Sequence, residues 1–170
     1  AGKGIDFSAQ TVSALSGVTP QTSTGAEILG HYEQGKFNIT IESGYSGTAV
    51  SSQGSSYIRI GNQVHCHIRF VLDGNGTAST NDAVFGGLPY QTLTNTGKNF
   101  NNNFIGTAAF YTTSSVTDNA YYYWSTAYAS TNLYIYHLTS TSIDGIQANE
   151  LGTSAIVQGS LTYFIADFDA

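Results

Sequence analysis

Between positions 63 and 72 the chain reads Gln-Val-His-Cys-His-Ile-Arg-Phe-Val-Leu, and this alternation restricts what it can become. In an extended strand, Val64, Cys66, Ile68, Phe70 and Leu72 share one side while His65, His67 and Arg69 share the other. A helix would scatter both sets around its circumference. One apolar and one polar face call for a core on one side only, the usual habit of antiparallel sheets. Upstream, Tyr57-Ile58-Arg59-Ile60 leads into Gly61-Asn62, a pair suited to the positive φ values of a tight hairpin. Asp73-Gly74-Asn75-Gly76 then closes the long strand with turn chemistry.

The same period recurs where Phe37, Ile39 and Ile41 alternate with Asn38, Thr40 and Glu42. Further strand candidates are 83–85, 104–112, 121–125, 132–137 and 155–165, separated by the loop Gly86-Gly87-Leu88-Pro89-Tyr90, an Asn-rich loop at 99–103 and other polar turns. Roughly eight short strands of this kind predict an all-β protomer, a β-sandwich or jelly roll. The absence of methionine and the presence of only 2 prolines among 170 residues, with 12 Tyr and 9 Phe, favour strands over helices. The one passable helix window is 143–151. Residues 1–30 hold too few large apolar groups to fold alone and read as an extended N-terminal connector, with 31–170 as the packed domain. Ile5, Phe7, Val12, Leu15 and Val18 in that connector suggest contacts with a partner chain.

Lys and Arg number 5 against 11 Asp and Glu, a net charge of −6, which lacks the cationic footprint of nucleic-acid binding. No apolar run is long enough to span a bilayer, so membrane insertion is not expected. A single cysteine, Cys66, excludes an internal disulfide and any zinc site of several thiolates. It falls on the apolar side of its strand, as a small buried hydrophobe would. Phosphate loops, the Gly-x-Ser-x-Gly elbow and His-Glu-x-x-His are all missing, and no cofactor is expected. Asp73, Asp82, Asp118 and Asp144 sit in apparent turns, where carboxylates bond to backbone N–H groups. Glycoside hydrolysis would need two carboxylates across a cleft, which the sequence does not display.

His65 and His67 form a His-x-His pair whose rings point to one face of a strand. If three chains brought the pair to a common axis, six imidazoles would surround a divalent transition metal. Otherwise the two rings simply meet solvent or a neighbouring subunit. His31 and His137 stand alone and carry no metal signal. In the run Tyr121-Tyr122-Tyr123-Trp124, either Tyr121 and Tyr123 or Tyr122 and Trp124 must face away from the core. Exposed aromatic rings stack on sugars or line subunit interfaces. The interface suits most of them, leaving Asp118, Asn119, Tyr122 and Trp124 as glycan-binding candidates. Asn38-Ile39-Thr40 and Asn75-Gly76-Thr77 match the glycosylation triplet, which is common by chance in a chain this rich in Asn and Thr.

Several segments resemble one family, the C-terminal receptor-binding tip domains of bacteriophage tail fibres and related tail proteins. Gly4-Ile5-Asp6-Phe7-Ser8 is similar to a short motif that precedes such domains, and His31-Tyr32-Glu33-Gln34-Gly35-Lys36-Phe37 resembles their "YEEGTW/F" opening. Tyr57 to Val64 is similar to the "YTKIGRLV" segment and Gly87-Leu88-Pro89-Tyr90 to the "GLPF" loop. The order agrees, and Gly159-Ser160-Leu161-Thr162-Tyr163-Phe164 fits the closing strand. Residues 91–155 share nothing recognisable with the family.

The resemblance implies a parallel homotrimer at the distal end of a fibre, displayed on the virion and used for host attachment without catalysis. Its partners would be further copies of itself, the rest of the fibre, and a bacterial surface glycan or other host receptor. Low charge suits neutral sugars. Three copies of residues 1–30 side by side would form a stalk, and the start at Ala1 suggests a piece of a longer fibre. The rival expectations are a trimerisation or capping module without a ligand, and a fragment of a polysaccharide-degrading tail enzyme.

Overall fold

The computed structural model describes residues 32–93, 105–111, 121–127, 129–138 and 142–165. The connector at 1–30, His31, the Asn-rich loop at 99–103, Asp118 and Asn119 lie outside the described residues.

The chain forms β1 (Tyr32–Phe37), β2 (Thr40–Ser43), β3 (Tyr45–Ser46), β4 (Val50–Gln53), β5 (Ser55–Ile60), β6 (Gln63–Leu72), β7 (Thr77–Ala78), β8 (Val84–Gly86), β9 (Ile105–Tyr111), β10 (Tyr121–Thr126), β11 (Leu133–Leu138), β12 (Ile143–Gly145), α1 (Ala148–Leu151) and β13 (Ile156–Phe164). The main sheet runs β1-β5-β6-β13-β9-β10-β11-β8-β2, with β12 on β11 and β4 on β6. β3 and β7 pair separately. Neighbours are antiparallel throughout, so each strand presents one face to a core.

The sheet is curled. Phe70 of β6 and Phe85 of β8 have ring centroids 4.8 Å apart although four strands separate them in sheet order. Five flat inter-strand steps would put them about 24 Å apart. Trp124 of β10 lies 6.5 Å from both rings, so the apolar faces close over one core. β1 and β2 occupy opposite ends of the sheet order, yet only Asn38 and Ile39 separate them in the chain. The Gln53 side chain holds this link, accepting from the Ile39 N–H at 3.0 Å and donating to its carbonyl at 2.9 Å. It supplies the ladder bonds that Ile39 would otherwise lack.

β6 follows the sequence pattern: Val64, Cys66, Ile68, Phe70 and Leu72 are buried, and His65, His67 and Arg69 are exposed. The hairpin before it differs in detail. Gly61 has φ of 59°, while Asn62 is absent from the positive-φ residues, which is the pattern of a type II′ turn with glycine first. The 143–151 helix window is corrected to a strand and one short turn. Ile143, Asp144 and Gly145 bond as β12 to β11, and only Ala148–Leu151 is helical. There Glu150 accepts the Gln147 N–H at 2.8 Å, closing the first turn.

Burial also sets an alkaline limit. Desolvation pushes the Cys66 thiol up to about 12, although a hydrogen bond from Tyr163 opposes this. Burial likewise raises the hydroxyls of Tyr163 and Tyr45 above the ordinary tyrosine value. The fold therefore keeps protons that the unfolded chain releases from about pH 8.5 upward. This stability is complete below that pH and is lost as pH rises towards the folded values, by up to about 1.4 kcal/mol per group per unit. Urea midpoints are expected to hold level from about pH 6 to 8 and to fall above about 9. Cys66→Ala should remove the earliest part of the decline, and a level profile to about pH 11 would contradict the assignment.

Candidate functional site: a trough on the outer sheet face

On the outer side of the sheet, register aligns one residue from each of five adjacent strands: His67, Ser160, Thr107, Tyr123 and Tyr136. His65 and Thr162 form the next row. β6 contributes large rings and so do β10 and β11, whereas β13 and β9 contribute hydroxyls and the small Ala109, with the backbone of the inward-facing Gly159 and Ala108 between them. Tall columns on either side of short ones make a trough. Its two adjoining hollows, of about 370 and about 360 Å³, share Thr107 and Ser160. Tyr122, Tyr123 and Thr162 border the first, and His67 and Gln158 the second.

The floor is ordered by its own hydrogen bonds. Thr107 Oγ1 and Ser160 Oγ lie 3.0 Å apart, and His65 Nδ1 lies 2.9 Å from Thr162 Oγ1. On the far wall the rings of Tyr123 and Tyr136 stack at 5.8 Å and 20°, with Tyr134 at 6.4 Å from Tyr136. Burial raises the Tyr123 hydroxyl, and burial followed by the nearby Asp82 charge raises that of Tyr136, so both remain neutral donors at ordinary pH.

Gly159 allows the floor to sit this low. A Cβ there would come 2.0 Å from the Thr107 carbonyl and 2.4 Å from Trp124 Nε1. Gly159→Ala is therefore expected to cost about 1–3 kcal/mol through forced displacement of β9 or the indole. Comparison of urea midpoints with wild type measures it, and an unchanged midpoint would show that both neighbours yield freely.

The aromatic run divides by face. Tyr121 and Tyr123 point outward, while Trp124 is fully buried against Phe70 and Phe85. Tyr122 is half-buried, packed on Phe110 at 4.6 Å and on His137 at 6.2 Å. The expectation that Trp124 meets a ligand is corrected: an enclosed indole has no face to offer a sugar. Tyr122 touches the trough only at its border. Tyr123, Thr107, Ser160 and Thr162 escaped the sequence reading. The signal was present in β11, where Leu133 and Ile135 must face the core; cross-strand pairing of Ile135 with Trp124 then carries the indole inward.

His65 and His67 are exposed side by side as expected, and no group of three or more metal-ligating residues occurs among the described residues. His137 is buried on the inner side, its Nε2 3.9 Å from Asp144 Oδ2. Asp144 lies within β12 rather than in a turn. Asp82 bridges to Gln147, and Asp73 accepts the Asn75 N–H at 2.9 Å, which lowers the Asp73 pKa. The chain matches no protein-family model, and no curated protein matches it.

Proposed function

We propose that this chain is a non-enzymatic attachment domain, the tip of a bacteriophage tail fibre or related tail protein, which binds carbohydrate on a bacterial surface. In this reading the curled sheet is a jelly-roll-like sandwich, three copies assemble side by side, and the assembly is displayed on the virion. The observation that carries it is the trough. Stacked tyrosines face a hydroxyl-lined floor, and sugars are held in this way, by rings against their apolar faces and hydrogen bonds to their hydroxyls. Three linked weak sites would multiply avidity without any one binding tightly.

Adsorption of the purified protein to bacterial cells, and its binding to an array of bacterial surface polysaccharides, tests this reading. Tyr123→Ala is expected to weaken binding about tenfold, the loss of one ring stack and its hydroxyl. Undiminished binding by that variant would remove the trough from the proposal.

A second reading, a trimerisation module without a ligand, is favoured by an apolar patch that adjoins the trough on the same face, where Ile58 stands opposite His65. Tyr32, Ile58, Ile60 and Phe164 are 60%, 41%, 44% and 41% exposed on neighbouring strands, a cluster that a second copy would cover. Light scattering after size-exclusion chromatography is expected to give three times the 18.0 kDa chain mass. Ile58→Lys/Ile60→Lys is expected to give the monomer with an unchanged circular dichroism spectrum. A monomeric wild-type chain would overturn the assembly in both readings.

A further inference from the structure

Charge is distributed unevenly over this acidic protein, and among the described residues the β6 side of the trough lacks carboxylates. At the outward positions of β1, β5, β6, β13, β9 and β10, among the described residues, there is no Asp or Glu. The described acids Glu42, Asp73, Asp144 and Glu150 lie on other segments, Glu33 of β1 turns the opposite way, towards Tyr57 and Tyr90, and Asp82 reaches only the far wall, beside Tyr136. The same surface presents Lys36 and Arg69, both exposed, the first two strands from His67 in its row and the second next after His67 on that face of β6. Lys36 shares a register row with Ser56 and His67, and Arg69 shares one with Gln158. With Nδ1 of His65 turned to Thr162, its Nε2 remains for a ligand.

We propose that the trough takes an acidic polysaccharide, one whose sugars carry carboxylates, rather than the neutral glycan that the low overall charge suggests. This rests on the attachment reading above and specifies its ligand. The donors on the β6 side stand across the floor from Asp82, the carboxylate beside Tyr136, and so complement an anion held near β6; charge-assisted hydrogen bonds are the stronger kind. The hydroxyls of Thr107, Ser160 and Thr162 and the ring of Tyr123 meet the neutral remainder of each sugar. The wall of Arg69 and the two histidines on β6 and the aromatic wall on β10 stand three inter-strand steps apart, about 14 Å, room for a saccharide chain lying along the floor. A nucleic acid would also bring anions, but its charge density calls for a larger basic surface than these residues supply.

The test uses the full chain with polygalacturonate as the acidic probe, dextran as the neutral one and single-stranded DNA as the competing polyanion. At about 50 mM salt polygalacturonate is expected to bind and dextran not to, and about 500 mM salt is expected to abolish the binding by screening. His65→Gln/His67→Gln and, separately, Lys36→Gln/Arg69→Gln should each weaken it about tenfold. Thermal melts check that each variant folds, and the second pair stands in if the first does not. Equal binding of dextran, indifference to both pairs, or DNA binding as tight as polygalacturonate would overturn the proposal. If neutral bacterial polysaccharides bind and acidic ones do not, the acidic assignment falls while the attachment reading stands. If the protein binds no polysaccharide and no cells, both fall.

Discussion

Trp124→Ala is expected to lower stability by about 3–5 kcal/mol, the usual cost of emptying a large aromatic from a closed core. Trp124 heads the fully buried side chains and touches both Phe70 and Phe85, so its removal opens the junction where the curled sheet meets itself. Of a typical total of roughly 5–15 kcal/mol, that loss would leave little. Urea unfolding followed by circular dichroism measures it. Trp124→Phe should cost much less, because the indole Nε1 has no hydrogen-bond partner and its removal deletes an unsatisfied buried donor. A large loss in the phenylalanine variant and a small one in the alanine variant would contradict this account. As the only tryptophan, Trp124 also reports on its own enclosure. Its emission should be that of an enclosed indole and should not respond to saturating saccharide.

The same residue shows where sequence reasoning stops. β6 was legible because its ten residues alternate without interruption, and each turn beside it carries glycine. β10 was legible as a strand, the 121–125 candidate, but its facing was not, because Tyr121, Tyr122, Tyr123 and Trp124 offer four amphipathic rings and no alternation. Parity there is imposed by the neighbour strand, information that lies outside the segment itself. The trough was illegible for a related reason. It is made of Gly, Ala, Ser and Thr, residues that mark nothing in a sequence, and it exists only because β6 and β10 flank β13 and β9. The short strands β3, β4 and β7 were missed, and β12 was read into a helix window, because two to four residues carry little measurable period.

The segments that resemble the tail-fibre tips acquire a physical meaning when the fold brings them together, and this leads to the second large effect. Glu33, Tyr57 and Tyr90 come from three different motifs, yet both phenol hydroxyls donate to the one Glu33 carboxylate, that of Tyr57 at 2.5 Å. Arg59 is buried, with its guanidinium 5.0 Å from the Tyr90 ring centroid and its Nε donating to the Gly61 carbonyl at 2.8 Å. Gly35 makes room: a Cβ there would sit 2.6 Å from the Tyr57 ring. The Tyr90 carbonyl in turn accepts the hydroxyl of buried Tyr163 at 3.1 Å, joining the loop to β13. Glu33→Ala is therefore expected to cost about 2–4 kcal/mol, since two hydrogen bonds to a charged group are lost together.

The hydrogen bond to Glu33 is also the main reason that the Tyr57 hydroxyl is held above its ordinary ionisation range. In Glu33→Ala, phenolate absorbance should accordingly begin to rise at lower pH than in wild type, and Tyr57→Phe/Glu33→Ala should remove that early rise. The neutral phenol is favoured only in the fold, so the interaction supports stability below about pH 10 and is lost as the pH climbs through the raised value. Glu33→Gln separates charge from shape: its amide oxygen still accepts one hydroxyl, so an intermediate loss is expected. A full loss in both variants would mean that the carboxylate charge is essential, and no loss in either would mean that the three motifs meet without holding one another.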